Sequence, residues 1–176
     1  NIASRYSDGM FQKNVEDNAF VKRFKSFIEI GAIPNYSLQH ELEFTPVDLC
    51  ADAVTSILGY NSICNVFHIY NTNLLPIKEL LHILSSIGIE ITPISNRLMS
   101  DVITGILEDD SRKEILSGII YDLDENKNLI YTSDILLNAD FTKQYLEKIG
   151  FKWKKINKNY IIKYMNYLKQ TGFINF

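Results

Sequence analysis

The order of secondary-structure elements is clearest in residues 45–94, TPVDLCADAVTSILGYNSICNVFHIYNTNLLPIKELLHILSSIGIEITPI. Thr45 can cap a helix and Pro46 suits its first position, so a helix is predicted from here to about Leu58, before Gly59. Hydrophobic periodicity then predicts a strand, a helix and a second strand at residues 66–70, 76–87 and 89–94. Two strands joined by a helix form the unit of a parallel sheet with a right-handed crossover, so this stretch predicts an α/β fold.

Helical patterns flank this stretch on both sides. Apolar residues at helical spacing predict a helix over 20–30 that ends at Gly31. Further helices are predicted after the second strand: two within residues 97–120, one at 141–149 and one at 158–170. The expected organisation is therefore an α/β part with few parallel strands, residues 1–95, followed by a mostly helical lobe, residues 96–176.

The composition is that of an ordinary globular protein. The chain has 176 residues, of which 46% are hydrophobic and 22% charged, and its net charge is -3, so no global basic field attracts nucleic acid or anionic lipid. No apolar run reaches the roughly 18 residues of a membrane span. Cys50 and Cys64 stand outside any metal-ligand spacing, which favours reduced thiols in a cytoplasmic protein. The sequence begins at Asn1 rather than at Met, and we expect it to be cut from a longer protein.

Motifs that carry nucleotide chemistry are absent from the sequence. Its eight glycines form neither G-x-G-x-x-G nor a P-loop, and none of its ten tyrosines is followed four residues later by a lysine. There is no H-E-x-x-H and no G-x-S-x-G. The sequence alone therefore predicts no self-contained catalytic constellation and no metal site.

Several blocks resemble one enzyme family. Residues 1–12, NIASRYSDGMFQ, resemble the G-N-x-x-x-R-x-S-D-G-x-F-Q segment after the sixth strand of the terminal thioester reductase domains of nonribosomal peptide synthetases. Residues 18–20, 43–48 and 66–71 resemble the N-A-F, E-F-T-P-V-D and V-F-H-x-x-N segments of that family, in the same order. Residues 145–151 and 164–174 resemble its C-terminal helices, so the resemblance covers nearly the whole chain.

The resemblance implies the C-terminal portion of an extended short-chain dehydrogenase/reductase of Rossmann type. Such domains use NADPH to reduce a peptidyl thioester on a carrier protein, and they release an aldehyde or, after a second hydride, an alcohol. The family's glycine-rich turn and its catalytic Thr, Tyr and Lys precede the segment that resembles residues 1–12. The implied partners are thus an upstream Rossmann half and an acidic peptidyl carrier protein with its phosphopantetheine arm, and no catalytic residue is expected in this chain.

Position in the family also implies roles for the first residues. The backbone of Asn1 and Ile2 would line the cofactor pocket, and Arg5 would approach the cofactor or pair with an acid of a neighbouring loop. The substrate-binding residues would border the phosphopantetheine channel: Ser7, Asp8, Gly9, Met10, Phe11 and Gln12. Composition alone explains Ser7 to Gly9 as a turn, and Met10 and Phe11 as core residues.

Other polar residues have structural explanations. Asp48, at the start of a predicted helix, favours capping over acid catalysis, and His68 lies between apolar residues of the predicted strand. Residues 152–169 hold six lysines, four aromatic residues and no acid. A solvated helix face is the preferred interpretation, carrier docking is second, and nucleic-acid binding is a distant third. Two alternatives to a thioester reductase stay open: an extended reductase of a free small molecule, and a non-enzymatic interaction module.

Overall fold

The computed structural model describes residues 2–60, 66–130 and 138–176, and for Ile2 the backbone only. Within these residues the α-helices are α1 (Ala19–Ile30), α2 (Val47–Leu58), α3 (Ile77–Ser85), α4 (Asn96–Leu107), α5 (Asp140–Lys148) and α6 (Lys158–Gln170). The strands are β1 (Ile2–Ala3), β2 (Ala32–Pro34), β3 (Glu41–Leu42), β4 (Thr45–Pro46), β5 (Leu75–Pro76) and β6 (Thr92–Ile94). The predicted α/β class, with few parallel strands and many helices, is confirmed.

The chain groups into two compact units, each made of three segments. The first comprises Asn1–Gln12, Glu41–Leu75 and Ser133–Leu168, and the second comprises Lys13–His40, Pro76–Thr132 and Lys169–Phe176. The division by element type into residues 1–95 and 96–176 stays a prediction.

The first unit is built on α2, α5 and α6. Strand β1 pairs in parallel with β4, so that Ile2 lies opposite Thr45, and α2 begins directly after β4. Ala53 and Ile57 of α2 pack in one cluster with Leu146 of α5. Helix α6 buries one face, formed by Tyr160, Ile161, Tyr164, Met165 and Leu168. Burial of these helix faces stabilises the unit and provides a fixed surface against which residues 3–12 lie.

The second unit pairs β2 with β6 in parallel, with Ala32 opposite Thr92 and Pro34 opposite Ile94. Helix α1 ends at Gly31, whose φ of 71° gives the left-handed cap that the sequence predicts. Helices α1, α3 and α4 each bury an apolar face; the buried apolar residues include Phe27, Leu80, Leu84, Met99 and Ile103. In the described parts of the chain, no helix has both the length and the apolar character needed to cross a bilayer.

The predicted strand at residues 66–70 is wrong, because this stretch has no strand assignment. Within this stretch the N–H of His68 instead donates to Thr142 Oγ1 (3.0 Å), and just after it the N–H of Asn71 donates to Thr45 Oγ1 (2.8 Å). The predicted strand at 89–94 is present in part, as β6, but it pairs in parallel with β2, so the unit of two strands joined by a helix that was predicted over 66–94 does not form. Thr45 is not the cap of α2, since Pro46 holds that position.

The second helix predicted within residues 97–120 is also only partly correct. After α4, the structure has two short 3-10 helices, Lys113–Leu116 and Ile120–Asp122, rather than an α-helix. Leu116 and Ile119 are fully buried there. The spacing of apolar residues that predicted a helix is therefore explained by the packing of a compact turn. Helices α5 and α6 agree with the prediction within a residue, and glycines with positive φ, Gly150 and Gly172, follow them.

Candidate functional site

Residues 5–12 form a closed turn, which we call the 5–12 turn. The N–H of Arg5 donates to Met10 O (2.8 Å), and the N–H of Gly9 donates to Arg5 O (2.9 Å). The Arg5 guanidinium pairs with the Asp8 carboxylate, whose Oδ1 also accepts the Met10 N–H at 3.0 Å. These donors, Met10 N–H first and Arg5 second, hold the pKa of Asp8 below its usual value. The acid that Arg5 contacts is thus in its own turn.

Asp48, at the start of α2, holds the 5–12 turn from one side. Its Oδ1 accepts the N–H of Tyr6 (2.8 Å) and of Leu49 (3.0 Å), and its Oδ2 accepts the N–H of Ser7 (3.1 Å). Partial burial acts to raise the pKa of Asp48, but these N–H donors outweigh it and the pKa is lowered. Asp48 therefore accepts hydrogen bonds from backbone N–H groups, as predicted. Only the N–H of Leu49 belongs to α2, and the other two belong to the 5–12 turn.

Helix α6 holds the turn from the other side through aromatic side chains. The buried Tyr160 hydroxyl accepts from Ser4 Oγ (3.0 Å) and donates to Ser4 O (3.2 Å). The Tyr6 ring stacks on Tyr160, with centroids 5.4 Å apart and planes 14° apart. Burial raises the pKa of the Tyr160 hydroxyl, so it remains a neutral donor.

Two further residues of α6 reach the end of the turn. Lys163 Nζ donates to Ser7 O (2.6 Å), and the Tyr167 hydroxyl donates to Phe11 O (3.0 Å). The Phe11 ring meets Tyr164 edge-on, with centroids 5.6 Å apart. Among the described residues, the buried Tyr164 hydroxyl has no hydrogen-bond partner. Helix α6 therefore contacts the 5–12 turn at Ser7 and at Phe11 and fixes its position.

Position 9 requires glycine because the turn lies against the backbone of α6 there. Its φ is 79°, and a Cβ added there would lie 2.5 Å from Lys163 C and 2.6 Å from Lys163 O. No side chain fits in that space without moving a helix backbone.

The residues predicted for binding are placed as follows. Asn1 lies outside the described residues, and the backbone of Ile2 pairs with β4. The structure brings Arg5 into the same turn as the six residues predicted to border the substrate channel. Arg5 is exposed, and so are four of those six residues, Ser7, Asp8, Met10 and Gln12; Phe11 is half-buried, and Gly9 is buried. The exposed side chains form the accessible face of a turn whose backbone is fixed.

The sequence did not reveal the residues that fix this turn. In the sequence, Tyr160, Tyr164 and Tyr167 stand out only as aromatic residues interleaved with lysines, and of the three only Tyr164 falls on the predicted apolar helix face. Neither signal identifies what these rings contact. Within the described residues, no group of three or more His, Cys, Asp or Glu side chains is placed to hold a metal ion.

Asp48→Asn is expected to lower the free energy of unfolding by about 1 kcal/mol at pH 7, because an amide offers one acceptor oxygen in place of two. Since the folded-state pKa of Asp48 lies below 3.8, its stabilising effect is present above that pH and disappears as the pH falls through the folded pKa. Urea unfolding at neutral and acid pH checks both expectations.

Asp52→Asn is the matched control, since Asp52 is an exposed residue of the same helix. It should change the unfolding free energy by less than about 0.5 kcal/mol. Equal effects of the two substitutions, or an Asp48→Asn effect that persists in acid, would contradict the role given to the Asp48 carboxylate.

Comparisons with known proteins give structural similarity without sequence-level matches. No protein-family model matches this sequence, and no curated protein matches it. A thiolation-reductase di-domain from an archaeal nonribosomal peptide synthetase superposes with a TM-score of 0.81 at 22% identity, over 98% of this chain and 35% of that one. The terminal R domain from the myxalamid biosynthetic pathway superposes with a TM-score of 0.79 at 16% identity, over 99% of this chain and 43% of that one.

A third structure extends the same result. The reductase domain of a nonribosomal peptide synthetase from Mycobacterium tuberculosis gives a TM-score of 0.67 at 14% identity, over 98% of this chain and 45% of that one. The chain therefore spans less than half the length of each of these three proteins. These structures agree with the resemblance of residues 1–12 and 43–48 at the level of the fold: the chain has the fold of part of the terminal reductase domains of peptide synthetases.

Proposed function

We propose that this chain is the substrate-side part of an NAD(P)H-dependent thioester reductase. The enzyme would release a carrier-bound peptidyl thioester as an aldehyde or, after a second hydride, as an alcohol. The observation that carries the proposal is the reductase-domain fold over 98% of the chain, at a TM-score of 0.81. The glycine-rich turn, the catalytic Thr, Tyr and Lys, and most of the NADPH site would belong to a preceding Rossmann half.

The 5–12 turn is the proposed substrate-binding element. Its residues Ser7 to Gln12 would border the channel for the phosphopantetheine arm, with Met10 and Phe11 as an apolar wall and Gln12 as a hydrogen-bonding group for an amide of the arm. Support comes from the anchoring of the turn by Asp48 and α6, because a binding element fixed in advance loses little entropy when the ligand arrives. On the cofactor side, Asn1, Ile2 and Arg5 would contribute.

The proposed partner is an acidic carrier protein. The lysines of residues 152–169 form a stretch without acids, which would steer an acidic domain towards this part of the molecule. We place the enzyme in the cytoplasm, with neither nucleic acid nor membrane as a partner.

The test is an activity assay on two proteins: residues 1–176 alone, and the same chain joined to the region encoded before it. NADPH oxidation is followed with a carrier protein that bears an acyl phosphopantetheine. We expect turnover from the longer protein only. Turnover by residues 1–176 alone would contradict the proposal. Turnover with a free nucleotide sugar but not with the carrier would favour the small-molecule reductase, and an upstream region without a glycine-rich turn would favour the interaction module.

Gln12→Ala in the longer protein is expected to raise the KM for the carrier substrate about fivefold, the effect of one lost hydrogen bond, and to leave kcat nearly unchanged. Steady-state kinetics with varied carrier concentration measure this. Gln144→Ala, at an exposed position of α5, is the control and should leave KM unchanged. Unaltered kinetics in Gln12→Ala would remove Gln12 from the proposed channel.

A further inference from the structure

A concave surface of the first unit lies outside the 5–12 turn, and we call it the Trp153 pocket. Its cavity volume is about 240 Å³. The side chains that matter for its chemistry come from a loop, from α5 and from the segment after α5: Thr72, Lys143, Leu146, Phe151, Lys152 and Trp153. Of these residues, only Lys152 has a part in the proposed function, as a member of the lysine stretch that would steer the carrier protein.

Hydrogen bonds between its segments shape the pocket in advance. Asn73 Nδ2 donates to Trp153 O (3.0 Å), and Asn71 Nδ2 donates to Lys154 O (3.1 Å), so the loop at 71–73 is joined to the opposite wall. The N–H of Phe151 donates to Leu146 O (2.9 Å), which fixes that wall to α5. A pocket held in this way needs little ordering when a ligand binds.

The pocket has an apolar floor and a charged rim. Leu146 is 1% exposed, and the rings of Phe151 and Trp153 meet edge-to-face with centroids 5.0 Å apart. Lys143 and Lys152 are exposed on the rim, and neither makes an ion pair with any residue that the structure describes. Among the lining residues that the structure describes, two lysines stand against one acid, Glu147, so their net charge is positive. An apolar centre inside a polar rim is the anatomy of a protein-binding hot spot.

We propose that the Trp153 pocket docks an acidic polypeptide segment that inserts one large apolar side chain. A volume of about 240 Å³ is below the roughly 300–1,000 Å³ of small-molecule sites, but it accommodates one aromatic or aliphatic side chain. The exposed lysines of the rim, Lys143 and Lys152, then select acidic neighbours of that side chain. The proposal uses no residue of the 5–12 turn, although Lys152 also belongs to the lysine stretch that would steer the carrier protein. The peptide-binding tests below measure the pocket without any reductase activity.

The first test uses peptide probes and the whole 176-residue chain. The probe is the blocked hexapeptide Asp-Glu-Asp-Phe-Glu-Asp; one control has Ser in place of Phe, and a second has Lys in place of every acid. Trp153 is the only tryptophan, so its emission reports occupancy of the pocket directly. We expect the probe to change this emission, the Ser peptide to bind about tenfold more weakly, and the basic peptide not to bind.

Variants and a fluorescein-labelled probe complete the test by anisotropy. Lys152→Glu should weaken binding about fivefold, whereas Lys148→Glu, the same charge reversal on α5 outside the lining, should weaken it less than twofold. Thr72→Phe, which fills the cavity without a charge change, should abolish binding, and circular dichroism checks that each variant is folded.

Three results would overturn the proposal. Equal binding of the Phe and Ser peptides would mean charge attraction without an anchor. Equal effects of Lys148→Glu and Lys152→Glu, or normal binding by folded Thr72→Phe, would place the peptide elsewhere. Displacement of the probe by single-stranded oligothymidine, with the same change in Trp153 emission, would assign the pocket to nucleic acid instead.

Discussion

Gly118→Ala is expected to lower the free energy of unfolding by about 4 kcal/mol, a large part of the 5–15 kcal/mol that stabilises a typical domain. A Cβ at this position would lie 2.1 Å from Lys22 O and 2.2 Å from Lys22 C. Both atoms belong to the backbone of α1, which cannot rotate aside as the end of a side chain can. The turn that contains Gly118 must therefore move away from the helix.

Moving that turn would break more than one contact. The N–H of Gly118 donates to Ser26 Oγ (3.1 Å), and Ser26 is 1% exposed, so a half-buried donor and a buried acceptor would lose their partner together. Leu116 and Ile119, on either side of the glycine, are fully buried and would be partly uncovered. These losses add to the steric strain, which is why the expected effect exceeds the usual 1–3 kcal/mol of overpacking.

Urea unfolding of three variants separates the causes. Ser26→Ala removes only the hydrogen bond and should lower the unfolding free energy by about 1–2 kcal/mol. Gly105→Ala, in the interior of α4 with no heavy atom within 4 Å of the added Cβ, should raise it by about 0.5–1 kcal/mol. If Gly118→Ala proved no worse than Ser26→Ala, the close approach to α1 would not be a constraint on the fold.

Local sequence was sufficient for most of the α-helices, but not for the second helix predicted within residues 97–120. Apolar spacing together with a following glycine identified α1 and α6, because both signals come from residues of the helix itself or from its cap. The same reasoning failed at residues 66–70, whose composition suits a strand. The N–H of His68 donates to Thr142, 74 residues away, and the N–H of Asn71, just after the stretch, donates to Thr45. No local pattern contains that information.

The candidate site shows the same limit. Ser, Asp and Gly at positions 7–9 predicted a turn, since these residue types favour turns wherever they occur together. Nothing near them in sequence indicated that Asp48, 41 residues from Ser7, would bind the N–H of that residue. The lysines of α6 were interpreted as a solvated face, yet Lys163 donates to Ser7 O across 156 residues of sequence. A polar side chain at a surface can hold a turn in place although the spacing of residues in the sequence does not indicate this contact.

Gly9→Ala is expected to lower the free energy of unfolding by about 3 kcal/mol, and this value has two sources. The positive φ of 79° accounts for about 1 kcal/mol, because an L-residue with a Cβ is strained in the left-handed region. The remaining 2 kcal/mol or so come from the clash with the α6 backbone, where the added Cβ would lie 2.5 Å from Lys163 C.

Gly150→Ala separates these two sources. Gly150 has a similar φ of 88°, but a Cβ there would meet no heavy atom within 4 Å, so its substitution should show the conformational part alone, about 1 kcal/mol. The comparison is made by urea unfolding of both variants and the parent chain. Equal effects would mean that the 5–12 turn can move away from α6 without lowering the free energy of unfolding. The anchoring of the turn would then no longer support its proposed substrate-binding role. Adding Lys163→Ala should not rescue Gly9→Ala, because the clashing C and O atoms stay in place.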